Sequence, residues 1–211
     1  MTVCSMVKII NGAELAEKIK DKLVKEIIKL NGERPDLAII LIGERPDSEL
    51  YVRLKEREAK KVGIDTHVYR CADSVSEQEI LEMINFLNHD DSIDAILAQL
   101  PLPTGIDTDT IMLALDPAKD VDGFQPDNLE KLLNGCDHAE IMPPVFAAVL
   151  EMLNSIKYDM KNKQVCIISN SDIFGKSLAH VLTCRGAKAQ AVKADHENLA
   201  EHAKQADVLI T

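Results

Sequence analysis

Residues 37–42 read Leu-Ala-Ile-Ile-Leu-Ile, an apolar run without polar alternation. A run of that length and character is a buried strand. It stops at Gly43-Glu44-Arg45-Pro46-Asp47-Ser48, where Gly43 and Pro46 break the strand and Asp47 or Ser48 can cap a following helix. The flanking stretches alternate in the same way. Asn11 to Asn31 places Leu15, Ile19, Leu23, Ile27 and Leu30 at helical spacing, and Gly32 and Pro35 end it. The helix after Ser48 stops at Gly63, Thr66 to Cys71 reads as a strand, and Ser74 or Ser76 caps a helix to about Asn88. Ile93 to Leu100 is a third strand. Strand, helix, strand, helix, strand predicts an α/β fold with a parallel sheet and right-handed crossovers.

Open sheets of this kind place ligands beyond the carboxyl ends of their strands. Tyr51 and Lys55 fall there, four residues apart on one face of the helix and near its start. A lysine held beside a phenol and away from water gives up its proton more easily than a free one. The same pair also fits the surface of an ordinary amphipathic helix. The third strand leaves the sheet through Gln99-Leu100-Pro101-Leu102-Pro103, and its two prolines rule out continuation as a central strand. Gln99 therefore marks the sheet edge, beside the Lys55 helix. In Asp116-Pro-Ala-Lys-Asp-Val-Asp-Gly-Phe124 the acids lack the spacing and number of a calcium loop. A carboxylate that accepts two parallel N–H bonds from a heterocycle fits that segment better.

The second half starts with a short helix, Asn128 to Leu133, a stop at Asn134-Gly135 and a polar loop from Cys136 to Glu140. Pro143 and Pro144 introduce a helix to about Ile156. The domain boundary is placed next, giving residues 1–157 and 158–211. Val165 to Ser169 is a strand that runs into Ser169-Asn-Ser-Asp-Ile-Phe-Gly-Lys-Ser177 and a helix ending before Gly186. A strand to Val192, a helix from Asn198 to Gln205 and a strand from Asp207 complete a β-α-β-α-β start of a dinucleotide-binding domain. Of three fingerprint glycines only Gly175 is present.

The net charge of −11 argues against nucleic acid or an anionic membrane as partner, and no stretch approaches a membrane span. Five widely spaced cysteines without a Cys-x-x-Cys pair read as free thiols of a cytoplasmic protein, not as disulfides or a zinc site. The six histidines show no ligand spacing.

Four segments, taken in order, resemble the bifunctional methylenetetrahydrofolate dehydrogenase/cyclohydrolase family: Tyr51-x-x-x-Lys55 after its loop, Gln99-Leu-Pro-Leu-Pro103, Lys119-Asp-Val-Asp-Gly-Phe124, and a degenerate phosphate loop from Ser169 to Gly175. The resemblance implies two α/β domains, an N-terminal folate-binding catalytic domain and a Rossmann-like C-terminal domain with parallel strands. It implies Lys55 as the central catalytic group, Tyr51 against the folate and Gln99 tuning the lysine. Asp122 would grip the pterin, with Leu100 and Pro101 lining the substrate. Ser169, Asn170, Ser171 and Gly175 would meet the cofactor. The implied reactions are oxidation of 5,10-methylenetetrahydrofolate and hydrolysis of the methenyl product to 10-formyltetrahydrofolate. Neither needs a metal. The cofactor is NADP, with NAD as the alternative, and the family is commonly a homodimer.

Several positions depart from the pattern. Ile141-Met-Pro-Pro-Val-Phe146 replaces Pro-Cys-Thr-Pro-x-Gly, so that Phe146 stands for a glycine and is expected to crowd the site. Ser169 and Asn170 replace a glycine and an arginine, and Lys193-Ala-Asp195 replaces a basic segment. An acid there disfavours a ribose 2′-phosphate. The family pattern continues past Thr211, so the sequence reads as truncated. A cyclohydrolase without the redox step and a non-catalytic folate-binding remnant are the alternatives to the bifunctional enzyme.

Overall fold

The computed structural model describes residue 7, residues 9–136 and residues 141–211. The expected loop after Cys136 lies, beyond Cys136 itself, outside them. The chain forms two compact units, Met1–Gln125 and Pro126–Thr211. The helix that starts at Pro144, given to the N-terminal domain by the sequence reading, packs in the second.

In the first unit β1 (Asp36–Ile42) lies between β2 (Asp65–Cys71) and β3 (Ala95–Ala98), parallel to both. The central place explains the unbroken apolar run, because both faces of β1 are covered. Ala38, Ile40 and Ile42 meet Ile80, Ile84 and Leu87 of α3 (Glu77–Asn88) and Ile111 and Met112 of α4 (Thr108–Ala114). Ile39 and Leu41 face the other way, onto Val52 of α2 (Pro46–Val62) and Leu97. Ile40→Ala should therefore lower unfolding stability by about 2–5 kcal/mol in urea titrations. Phe86→Ala, at a side chain 62% exposed on α3, should change it by no more than about 0.5 kcal/mol.

Local signals account for most element ends. Ser76 caps α3 in a full capping box with Glu79. Gly63 closes α2 in the left-handed region, at φ 95°. The cap of α2 differs from expectation: Arg45 occupies it without a side-chain bond, and Pro46 opens the helix. Pro46 has no N–H to satisfy, and Asp47 instead accepts from the Ser48 N–H and from Arg45. The sequence reading missed α4, a seven-residue helix capped by Asp107, whose carboxylate accepts from Thr110 N–H at 2.7 Å. Helix α1 (Gly12–Ile28) forms as expected, capped by Asn11, yet none of its residues is buried and its stripe stays partly open, with Ile19 37% and Leu23 41% exposed.

The second unit holds α5 (Pro126–Gly135), α6 (Pro144–Ser155) and a parallel sheet in the order β5 (Lys188–Val192), β4 (Gln164–Ile168), β6 (Val208–Ile210). Helix α7 (Asp172–Cys184) and α8 (Leu199–Gln205) make the crossovers. Phe146 on α6 is fully buried and meets the Phe174 ring of α7 edge-on, with centroids 5.3 Å apart. That ring is a packing element of this unit. The cysteines also depart from the reading: Cys136 and Cys184, 48 residues apart, form a disulfide, while Cys71 and Cys166 are free. Linear spacing gave no hint, since the end of α5 and the end of α7 meet only in the fold. Among the described residues no helix is long and apolar enough to cross a membrane.

Candidate functional site

Gln99 directly follows β3, and its N–H donates to Ile40 O of β1 at 2.9 Å, so it is held at the carboxyl end of the sheet. Its side chain is almost fully enclosed. The amide nitrogen donates to the Leu100 carbonyl at 2.7 Å, which turns Oε1 toward α2. There Oε1 accepts from Lys55 Nζ at 2.6 Å. Lys55 lies in the third turn of α2, deeper along the helix than the sequence reading placed it. Helical side chains lean toward the helix N-terminus, and that lean carries Nζ back to the strand ends.

Asp122 completes the group by way of its loop. Ile96 N–H of β3 donates to Lys119 O at 2.7 Å, and Asp120 forms an isolated bridge with Ile96. The buried Asp120 carboxylate accepts from the Gly123 and Gln125 N–H groups at 3.1 and 2.9 Å. Lys119 Nζ donates to the carbonyls of Leu87 and Asp90 at 3.0 and 2.8 Å, tying the loop to the end of α3. The acids that looked alike in sequence thus separate. Asp116 accepts from Ala118 N–H in a turn, Asp120 braces the loop, and Asp122 is left to face Lys55.

Burial lowers the Lys55 pKa, and the Asp122 charge pulls it partway back. Burial raises that of Asp122, against the Lys55 charge, and the Asp120 charge raises it further. Each group thus holds its ionised form less readily than in water. Tyr51 stands one turn before Lys55 with 58% of its surface exposed. Leu100, 41% exposed, and Pro101, across a cis peptide bond from it, form the exit beside Gln99. Ser48, three residues before Tyr51, is buried, and its hydroxyl has no hydrogen-bond partner among the described residues. Nothing in the sequence separated that serine from a helix cap.

In the second unit, Ser169, Asn170, Ser171 and Gly175 form one strand-to-helix loop. Ser169 N–H donates to Val192 O, Ser171 N–H donates to Ser169 Oγ, and Ser171 Oγ caps α7 by accepting from Phe174 N–H. A Cβ on Gly175 would lie 3.0 Å from Ala191 Cβ and 3.2 Å from Ser169 Cβ, so a larger residue there would have to push α7 and the sheet apart by a few tenths of an ångström. A loop of this form, at the end of the central strand and the start of a helix, fits a dinucleotide pyrophosphate. Asn170 Oδ1 accepts from Ala194 N–H at 3.2 Å, joining this loop to the segment after β5 that carries the exposed Asp195.

Two family models match the chain: tetrahydrofolate dehydrogenase/cyclohydrolase, catalytic domain, over residues 10–122, and the NAD(P)-binding domain of the same enzymes over residues 143–211. The bifunctional protein FolD of Nitratiruptor is 40% identical over 205 residues, 96% of this chain and 72% of that relative. The crystal structure of the bifunctional FolD enzyme from Campylobacter jejuni superposes with a TM-score of 0.88 at 35% identity, over 94% of this chain and 71% of the other. The Trypanosoma brucei methylenetetrahydrofolate dehydrogenase-cyclohydrolase, complexed with NADP and an inhibitor, superposes at 0.92 with 28% identity, over 97% and 71%.

Proposed function

We propose, from the premise that this chain belongs to the tetrahydrofolate dehydrogenase/cyclohydrolase family, that it oxidises 5,10-methylenetetrahydrofolate and hydrolyses the methenyl product to 10-formyltetrahydrofolate. One observation carries the catalytic half: the Lys55–Gln99 hydrogen bond at 2.6 Å, in a pocket where burial weakens the lysine's hold on its proton. Neutral Lys55 donates one N–H to Gln99 and keeps its lone pair for a proton of water. As water adds to the methenyl carbon, Lys55 takes that proton, and the ammonium returns one to N5 as the C–N5 bond breaks and the carbinol hydroxyl releases its proton to solvent to become the formyl C=O. Gln99 cannot rotate away without losing its bond to Leu100, so it fixes the direction of the lone pair. Asp122 accepts from the amidine-like edge of the pterin, and Tyr51 offers its exposed ring to the folate.

The nicotinamide cofactor supplies a hydride acceptor for the methylene carbon. Ser169, Ser171 and the Gly175 close approach would hold its pyrophosphate, which makes that step one of positioning. Asp195 favours NAD over NADP, because a carboxylate accepts from a free ribose 2′-hydroxyl and repels a 2′-phosphate. Asp195→Asn should therefore lower the KM for NADP relative to NAD by about tenfold, a loss of roughly 1.4 kcal/mol of discrimination.

The test of the whole reading is a pair of assays on the folded chain. Methylenetetrahydrofolate-dependent reduction of NAD or NADP reports the first step, and decay of methenyltetrahydrofolate absorbance above the spontaneous rate reports the second. Activity in both is expected. Activity in neither overturns the proposal, and hydrolysis alone assigns a cyclohydrolase without the redox step.

A further inference from the structure

Helix α7 carries His180 and Cys184 four residues apart, on one face of its last turns, and that face meets Cys136 at the end of α5. One nitrogen of His180 and the two sulfurs all lie within 4.8 Å of one another, and His180 Nε2 is 4.0 Å from Cys136 Sγ. The disulfide accounts for the two sulfurs and gives the imidazole no part. The imidazole is nevertheless held in place. Its Nε2, the nitrogen facing Cys136 Sγ, is also 2.8 Å from the Leu133 carbonyl on α5, and as Nε2–H it donates there. Ligation through Nε2 requires the Nδ1–H tautomer and release of the Leu133 contact.

We propose that, with the disulfide reduced, Cys136, His180 and Cys184 bind one borderline-soft divalent cation of the zinc class, with a fourth position taken by water. Reduction needs a thiol or phosphine. With a thiol, the S–S bond takes two electrons and two protons, giving two cysteine thiols while two reductant thiols become a disulfide. The cation then displaces both thiol protons. Two thiolates and a neutral imidazole leave a neutral site around a dication, the ligand set such ions prefer. Zinc–sulfur bonds of ~2.3 Å and a zinc–nitrogen bond of ~2.0 Å set tetrahedral ligands roughly 3.5–3.8 Å apart. The Cα atoms of Cys136 and Cys184 are 6.0 Å apart, so the sulfurs reach that spacing by side-chain rotation. The Cys136 sulfur already lies 4.0 Å from His180 Nε2 of α7. All three groups lie in the second unit and none belongs to the loop from Ser169 to Gly175, so the inference stands apart from the proposed reactions.

The experiment reduces the full chain with a phosphine, removes the reductant and metal, and titrates with Co2+ and then Zn2+. The expected result is one equivalent of Co2+ with thiolate-to-metal charge-transfer and tetrahedral ligand-field bands, all erased by Zn2+. Cys136→Ser and Cys184→Ser should lose the charge-transfer band while keeping the wild-type circular dichroism. His180→Ala should weaken binding by about tenfold or more, since changes in the outer shell alone cost that much. Three outcomes overturn the proposal: no stoichiometric uptake by the reduced chain, a band that survives in both serine variants, or a disulfide that resists the phosphine.

Discussion

Lys55→Met should cut the hydrolysis of methenyltetrahydrofolate by about 10²–10⁴-fold after the spontaneous rate is subtracted, the range that a positioned general base supplies. Hydride removal from the methylene bridge needs no base, so methylenetetrahydrofolate-dependent reduction of the cofactor should fall far less. Methionine keeps the length and the apolar stem of the lysine, and the variant should fold. The proton equilibrium gives a second signature. The buried ammonium is disfavoured, so the working, neutral form appears below the ordinary lysine range. Hydrolysis should rise with pH through that lowered pKa and then level off. Stability should follow the same sign. The unfolded chain holds this proton more tightly than the folded one, so unfolding free energy should rise with pH from the lowered value toward about 10.4, where unfolded lysines titrate. Equal hydrolysis by wild type and variant would remove Lys55 from the mechanism.

Asp122→Asn should have the next largest effect, and it separates two roles. An asparagine offers one acceptor where a carboxylate offers two, and it loses the charge. The KM for the folate substrate should rise by about tenfold to a hundredfold, the equivalent of one charge-assisted hydrogen bond. The Asp122 charge also lifts the Lys55 pKa, so removing it should move the pH limb of hydrolysis downward. A moved limb with an unchanged KM would mean that Asp122 tunes the lysine and does not hold the pterin.

Much of the first unit was legible in the sequence because its signals are local. A six-residue apolar run can only be a central strand here, and the capping box at Ser76 and the glycine stop at Gly63 name their own helix ends. The meeting of Lys55 and Gln99 was legible from topology, since parallel strands deliver their carboxyl ends to one edge. The part played by Asp120 was hidden, because three acids in nine residues look the same until backbone hydrogen bonds tell them apart. Helix α4 was passed over for its shortness and for the prolines before it. The meeting of Cys136, His180 and Cys184 depends on packing α5 against α7, a distance of 48 residues along the chain. The four-residue spacing of His180 and Cys184 within α7 does not by itself point to Cys136.

The stitching of the Lys119–Phe124 loop to β3 has a further meaning. Gln99, which accepts from Lys55, and Asp122, which is proposed to hold the ring, are carried on neighbouring backbone segments bonded to each other at Ile96. Displacement of one drags the other, so the tolerance between recognition and proton transfer is set by a few backbone hydrogen bonds and not by the whole fold. Such an arrangement resists drift of either group alone. Under the proposed roles, selection for a different ring system would act on the carboxylate and retune the base together, through the Asp122 charge beside Lys55.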